Sequence, residues 1–223
     1  MNFDYTFISI LGYIVFEPMV LLTNSIFFGI SLYSYRVLRR FSNAYAQQMA
    51  LFCLLLGISS IFGAIGHAVH LQMGFTFFGT ILFLMNALSI LAIYYCFLAP
   101  FTYLRAIDQW TSRYILGVRI WVLFIIIFSL FSGNFLLIKL NAAIVLLYSL
   151  FMHYRAYRTR QESGNLIVVA GLLVSFVPIL IHSKQLTLHK WFNYKDLSHV
   201  FMIISLLLIF EGAKRNAGEL EKV

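Results

Sequence analysis

Charge is what this chain has least of. Charged residues make up 11% of its 223 positions, against roughly a quarter in an ordinary soluble domain. That scarcity excludes a soluble globular protein. Cysteine is nearly absent too, and the two present, Cys53 and Cys96, sit inside apolar runs, so neither a disulfide framework nor a thiolate metal site is expected. Residues 1–6 contain Asp4 and no Lys or Arg. Without a basic n-region a cleavable signal peptide is not expected, and the first apolar segment should stay in the mature protein. Long polar stretches are also missing, apart from a connection over 183–195 and a tail over 214–223, which leaves no room for a second domain.

What fills the chain is hydrocarbon. Apolar residues account for 61%, with 23 Phe and 13 Tyr, and the mean hydropathy is +0.88. The apolar residues form whole runs separated by short basic loops, which predicts an all-α, polytopic membrane protein. The net charge of +8 is explained by topology, and nucleic acid is not an expected partner. With about 20 apolar residues per span, helices are expected at 8–34, 46–71, 75–103, 114–132, 135–156, 164–183 and 197–213. Residues 1–223 thus read as one seven-helix transmembrane domain.

Cytoplasmic loops retain Lys and Arg. Arg36, Arg39, Arg40, Arg105, Arg113, Arg119, Arg155, Arg158, Arg160, Lys214, Arg215 and Lys222 all fall on one side of such a bundle, and only Lys139, Lys184, Lys190 and Lys195 on the other. The expectation is an N-terminus outside and a C-terminus inside. The host membrane is expected to be a bacterial cytoplasmic membrane, or an endomembrane in a eukaryote.

Ionisable side chains inside spans are costly and point to function. Glu17 stands beside Pro18 in the first apolar run, and Asn24 lies two turns on along the same face. The second helix carries Ser60 and ends in His67 and His70, an i, i+3 pair on one face. Asp196 and His199 repeat that spacing at the start of the seventh, where Asp196 also suits an N-cap. His182 and His189 fall at the same outer depth, whereas His153, beside Arg155, reads as interfacial. Imidazoles with a carboxylate are a ligand set for zinc, which lowers the pKa of bound water toward 7. His67, His70, Asp196 and His199 are therefore candidate metal ligands. Asp196, Glu17 and Ser60 are candidate catalytic groups, and Asn24, His182 and His189 supporting polar residues.

Seven helices, Glu17 to Asn24 in the first, a His closing the second and Asn193-Tyr-Lys-Asp196-Leu-Ser-His199 opening the seventh together resemble the CREST superfamily. That group contains alkaline ceramidases, progestin and adipoQ receptors and Per1-type lipid-remodelling proteins. The resemblance implies a zinc ion held by one His of the second helix and two of the seventh, and hydrolysis of a lipid amide or ester. Three positions depart from the family pattern: Gly63 stands four before His67, Lys195 four before His199, and Phe78 where an Asp is expected.

The leading expectation is a zinc-dependent intramembrane hydrolase, ceramidase-like, with a membrane lipid as substrate or ligand. The alternatives are a non-enzymatic metal-bearing receptor-like or scaffold protein, and a haem-binding membrane protein using histidines of two helices as axial ligands.

Overall fold

The computed structural model describes residues 6–69, 71–72, 74–104, 109–132 and 135–222. His70 and Arg105, used in the reading above, lie outside the described residues.

The chain opens with a hairpin, β1 (Phe7–Ile10) and β2 (Tyr13–Phe16), antiparallel with Ile10 opposite Tyr13. This corrects the expected helix over 8–34. Leu11 and Gly12 form a two-residue loop with φ of 53° and 84°, the backbone that closes right-twisted hairpins, and the flanking residues are β-branched and aromatic. Glu17 then sits in the left-handed region with φ 47°. A residue before proline is pushed out of the right-handed helical region, so the helix begins only at Pro18, whose fixed φ suits a first turn.

The helices follow as α1 (Pro18–Leu38), α2 (Ala44–Val69), α3 (Phe75–Tyr103), α4 (Gln109–Ser132), α5 (Phe135–Arg160), α6 (Ser163–Val174), α7 (Val177–Lys184) and α8 (Tyr194–Glu221). Among the described residues, six stretches are long and apolar enough to cross a membrane: Ala44–Val69, Thr76–Tyr103, Thr111–Phe131, Leu137–Arg160, Ser163–Lys184, which joins α6 to α7, and Tyr194–Glu221. These mark the chain as an integral membrane protein. The remaining long helix, α1, has a buried face, Thr23, Asn24, Phe27, Ser31 and Ser34 among others, that recurs at three and four residues as an inward-facing stripe.

The helices close a ring in the order α1, α2, α3, α5, α6 and α8, with α8 returning to α1 and α4 packed outside against α3. Ile120, Leu123, Phe124, Ile127 and Phe131 of α4 are accordingly exposed on its outer face. Between α6 and α8 backbone approaches backbone. A Cβ on Gly212 would lie 2.6 Å from the Gly164 carbonyl oxygen, and one on Gly171 would lie 2.8 Å from the Ile209 nitrogen, the small-residue packing by which membrane helices gain van der Waals contact.

Two boundaries also differ from expectation. The sixth apolar run is interrupted at Ser175 and Phe176, two residues before Pro178, which cannot donate to the helical ladder. The expected polar tail continues α8 to Glu221, held by Glu211 with Arg215 at 2.9 Å and Glu219 with Lys222 at 2.8 Å. Its end docks on the α1–α2 loop, where Glu221 accepts from the Ser42 N–H at 2.7 Å and Asn43 donates to the Ala217 carbonyl at 3.1 Å.

His153, expected at an interface, is fully buried instead. Asn165 Oδ1 accepts from Asn216 Nδ2 at 3.2 Å and from His153 Nδ1 at 2.9 Å. The second bond needs a proton on Nδ1, which assigns that tautomer. Asn216 also donates to the Tyr45 hydroxyl at 3.0 Å, so one network ties α2, α5, α6 and α8 together.

Candidate functional site

At the opposite end of the bundle, the left-handed turn at Glu17 carries its carboxylate inward. Its backbone N–H donates to the Thr6 carbonyl at 2.8 Å, so the hairpin fixes the turn. The side chain is 4% exposed and receives two partners from distant helices: Lys195 Nζ at 2.5 Å from Oε1, and His67 Nδ1 at 2.6 Å from Oε2. Burial pushes this carboxyl up, but the hydrogen bonds and charges of His67 and Lys195 more than offset it and hold it at about 2. Glu17 precedes the first turn of α1 and therefore ties α1, α2 and α8 together at one point.

His199 is positioned by α1. Thr23 Oγ1 lies 3.0 Å from its Nδ1 and is also 3.0 Å from the Met19 carbonyl. This contact holds the ring, with the donor set by the His199 tautomer. Asn24 Nδ2 donates to the Val20 carbonyl at 2.9 Å and stands 3.4 Å from both ring nitrogens. In both histidines Nδ1 is engaged by an orienting group, and the ring's other polar atom is Nε2.

A cavity of about 280 Å³ lies between these residues. Asn24 of α1, Ser59, Ser60 and His67 of α2, and His199 of α8 supply much of its polar wall. Asn86 and Ser89 of α3 and Lys139 of α5 complete that wall, and Phe27, Leu56, Ile93 and Met202 form apolar surface. Ser60 donates to the Gly57 carbonyl at 2.7 Å, so it shows only lone pairs to the cavity. At ~30 Å³ per water molecule, the space holds a small polar group and not a whole lipid.

The residues singled out from sequence are distributed as follows. Glu17, His67, Asn24, Ser60 and His199 come together at the cavity or its rim. Asp196 is 1% exposed and belongs to a capping box, its Oδ2 accepting from the Asn193 N–H at 2.9 Å while Asn193 Oδ1 accepts from the Lys195 N–H at 2.8 Å. Asn193 is therefore the N-cap and Asp196 the third helical residue, a correction to the N-cap expected at 196. Its Oδ1 is buried without a hydrogen-bond partner among the described residues. His182 packs edge-on against Tyr194 with ring centres 5.2 Å apart, outside the cavity wall. His189 is exposed in the connection, where it accepts from the Trp191 N–H at 3.2 Å.

A zinc site needs three protein ligands at about 2.0 to 2.3 Å. Among the described residues no three His, Cys, Asp or Glu side chains are grouped to hold a metal ion. Asp196 has one oxygen in its cap, and His67 has Nδ1 on Glu17. His70, the fourth suggested donor, lies outside the described residues.

Lys195, Lys139, Asn86 and Ser89 were not singled out as site residues. The i, i+3 spacing of Asn86 and Ser89, an uncharged polar pair on one face of an apolar span, was the available signal.

Residues 19–217 match the family described as Family of unknown function (DUF6962). The chain belongs to that family. No curated protein and no solved structure matches the chain significantly. The DUF6962 match begins within the first turn of α1 and ends inside α8, so it takes in every cavity-lining residue but not Glu17.

Proposed function

We propose that this DUF6962 chain is a seven-span membrane protein, N-terminus outside and C-terminus inside, whose cavity binds the polar head of a membrane amphiphile. The observation that carries this is the composition of the cavity wall: two oriented imidazoles, Lys139 and a set of neutral hydrogen-bonding groups over apolar surface. Among the described residues no carboxylate lines the cavity, and Glu17 at its rim is matched by Lys195 and His67. The wall therefore favours an anionic or hydrogen-bond-accepting head.

The seventh span is α1, and the basic residues of the α1–α2, α3–α4 and α5–α6 connections and the C-terminus support the orientation. Entry from the lipid is supported by the break in the sixth span. In the inner half α6 packs on both α5 and α8, whereas in the outer half α7 packs on α8 without comparable packing on α5. Among the described residues we infer from this a lateral entry beside α5, where Lys139 stands.

The test is binding of spin-labelled or radiolabelled palmitate to protein in nanodiscs. His199→Ala and Lys139→Ala should each weaken it about tenfold, and unchanged affinity in both variants refutes the reading.

A second reading is metal-dependent hydrolysis of a lipid amide or ester, in line with the CREST resemblance. It is favoured by one observation: Glu17 on Nδ1 of His67 and Thr23 on Nδ1 of His199 are the orienting contacts that metal-ligating histidines use. Its check is zinc stoichiometry of the purified protein together with ceramide hydrolysis. Absence of both removes it.

A further inference from the structure

Arg119 counts by sequence among the cations of the inner side, yet it lies inside a span. It stands eight residues past Thr111, the first residue of the apolar stretch in α4, and so about 12 Å along the helix axis. Its partner on the neighbouring helix lies as deep. Arg119 Nε donates to the Tyr94 hydroxyl at 2.8 Å, and Tyr94 is nine residues before Tyr103, where the α3 stretch ends, or about 14 Å.

The side chain is exposed. One turn to either side, Ile115 and Val122 are buried against the bundle, whereas Leu116 and Leu123 are exposed, so the guanidinium stands at the lipid edge of the α3–α4 seam. The α4 stretch is also the least buried of the six. Among the described residues Arg119 has no ion pair, and its bond to Tyr94 engages Nε alone. Nη1 and Nη2 are left as a planar fork suited to a two-point contact with an oxyanion. The Tyr94 ring is held by two apolar clusters, one containing Phe97 and Ile115, the other Ile90 and Val122. Its hydroxyl accepts from Arg119 and donates to no protein group among the described residues, which makes its proton a third donor at the same place.

A cation inside a span is compensated by snorkelling to the interface or by headgroups drawn inward. The Tyr94 bond holds Nε sideways against α3 and so opposes the first route. We propose that Arg119 and Tyr94 bind the phosphate of an anionic phospholipid from the leaflet at the N-terminal end of α4, the inner leaflet in the proposed orientation. The guanidinium fork takes two phosphate oxygens, and the Tyr94 hydroxyl donates to the same group. Leu123, Ile127 and Leu130 are exposed and continue the face of Arg119 toward the middle of the bilayer, so the acyl chains lie along that stripe. With no carboxylate paired to Arg119, a net-negative head is favoured over a zwitterionic one whose choline repels the guanidinium. Neither Arg119 nor Tyr94 lines the cavity, so this site is separate from the one described above.

Native mass spectrometry of the full chain in detergent, titrated with phosphatidylglycerol or phosphatidylcholine, reads bound lipid and oligomeric state together. Wild type should bind its first phosphatidylglycerol about tenfold more tightly than phosphatidylcholine. Arg119→Gln should weaken phosphatidylglycerol about tenfold and remove that preference. Arg119→Lys should recover only part of the loss, because an ammonium lacks the two-point fork. Tyr94→Phe keeps the ring and loses only the hydroxyl; it should cost about threefold, and it carries the test if Arg119→Gln does not fold. Arg40→Gln, at an exposed arginine of the α1–α2 connection, should leave the affinity within about twofold. Unchanged phosphatidylglycerol affinity in Arg119→Gln and Tyr94→Phe, or an equal loss in Arg40→Gln, overturns the proposal. Displacement of the lipid by inorganic phosphate also overturns it, as does a wild-type dimer that Arg119→Gln dissociates, which would assign the fork to a carboxylate of a second copy.

Discussion

Lys195 Nζ meets Glu17 Oε1 at 2.5 Å across 178 residues of sequence, and this pair joins the entry of the first long helix to the first turn of the last. Glu17 is 4% exposed, Lys195 18% and His67 36%, so the ion pairs are sheltered on the carboxylate side and partly open on the other. Breaking a fully buried pair from one side costs about 3 to 5 kcal/mol, and exposed pairs are worth ~1 or less. Glu17→Gln should therefore cost about 2 kcal/mol, read as a lowered melting temperature of the protein in detergent. A double-mutant cycle with Lys195→Met should return a coupling of about 1 kcal/mol or more.

The same carboxyl gives the stability a pH dependence with a defined sign. Its ordinary value is 4.5, and in the folded chain it is held at about 2. The folded state thus binds fewer protons between those values, and stability falls as pH drops through that window. Above pH 4.5 the contribution is complete. Glu17→Gln should flatten this part of the profile, and an unchanged acid limb would count against the pair as its source.

Topology makes a separate prediction. Leu11 at the hairpin tip is 95% exposed, and Arg158 lies near the C-terminal end of α5, the inner end in the proposed orientation. In intact cells or right-side-out vesicles a membrane-impermeant maleimide should label Leu11→Cys and not Arg158→Cys. Cys53 and Cys96 are buried and should stay silent. Labelling of both introduced cysteines without permeabilisation would overturn the proposed span arrangement, and labelling of Arg158→Cys alone would reverse the proposed orientation.

How much of this was legible beforehand depends on the residue. Hydropathy alone located α2 to α5 within a few residues, because a span is a requirement of length and composition. His67, His199, Asn24 and Glu17 were legible as polar groups the bilayer should exclude. The hairpin was not, since a continuous apolar run looks the same as strand or helix by periodicity. The turn chemistry of Leu11-Gly12 and the Glu17-Pro18 step carried the missing information. Lys195 read as a departure from a family motif because its role depends on a long side chain reaching a residue on another helix. Asp196 shows the reverse: the local cap that its position allowed is where one of its oxygens is found.

The buried network at the end of the bundle away from the cavity offers another test. Asn216 holds both the Tyr45 hydroxyl and Asn165 Oδ1. Asn216→Leu keeps the volume but leaves the fully buried Tyr45 hydroxyl without that donor, at about 1 to 3 kcal/mol. The loss should appear in thermal melts, while palmitate affinity in nanodiscs stays within about twofold because the outer cavity is not touched.

α6 and α8 pack backbone against backbone. A Cβ on Gly212 would meet the Gly164 carbonyl oxygen at 2.6 Å and the Val168 nitrogen at 2.7 Å. Both are backbone atoms, so no rotamer change relieves the clash and the helices must separate. Separation would stretch the Ser205 to Gly171 carbonyl bond of 2.8 Å and the Asn216 to Asn165 bond of 3.2 Å, which span the same interface. Overpacking costs about 1 to 3 kcal/mol by itself, and the strained hydrogen bonds add to it. Gly212→Ala should therefore destabilise more than Gly218→Ala on the same helix, where an added Cβ meets nothing within 4 Å and alanine is the better helix former by about 1 kcal/mol. Melting the two variants side by side in detergent checks this. Equal melting temperatures would mean that the α6–α8 contact is looser than these distances require.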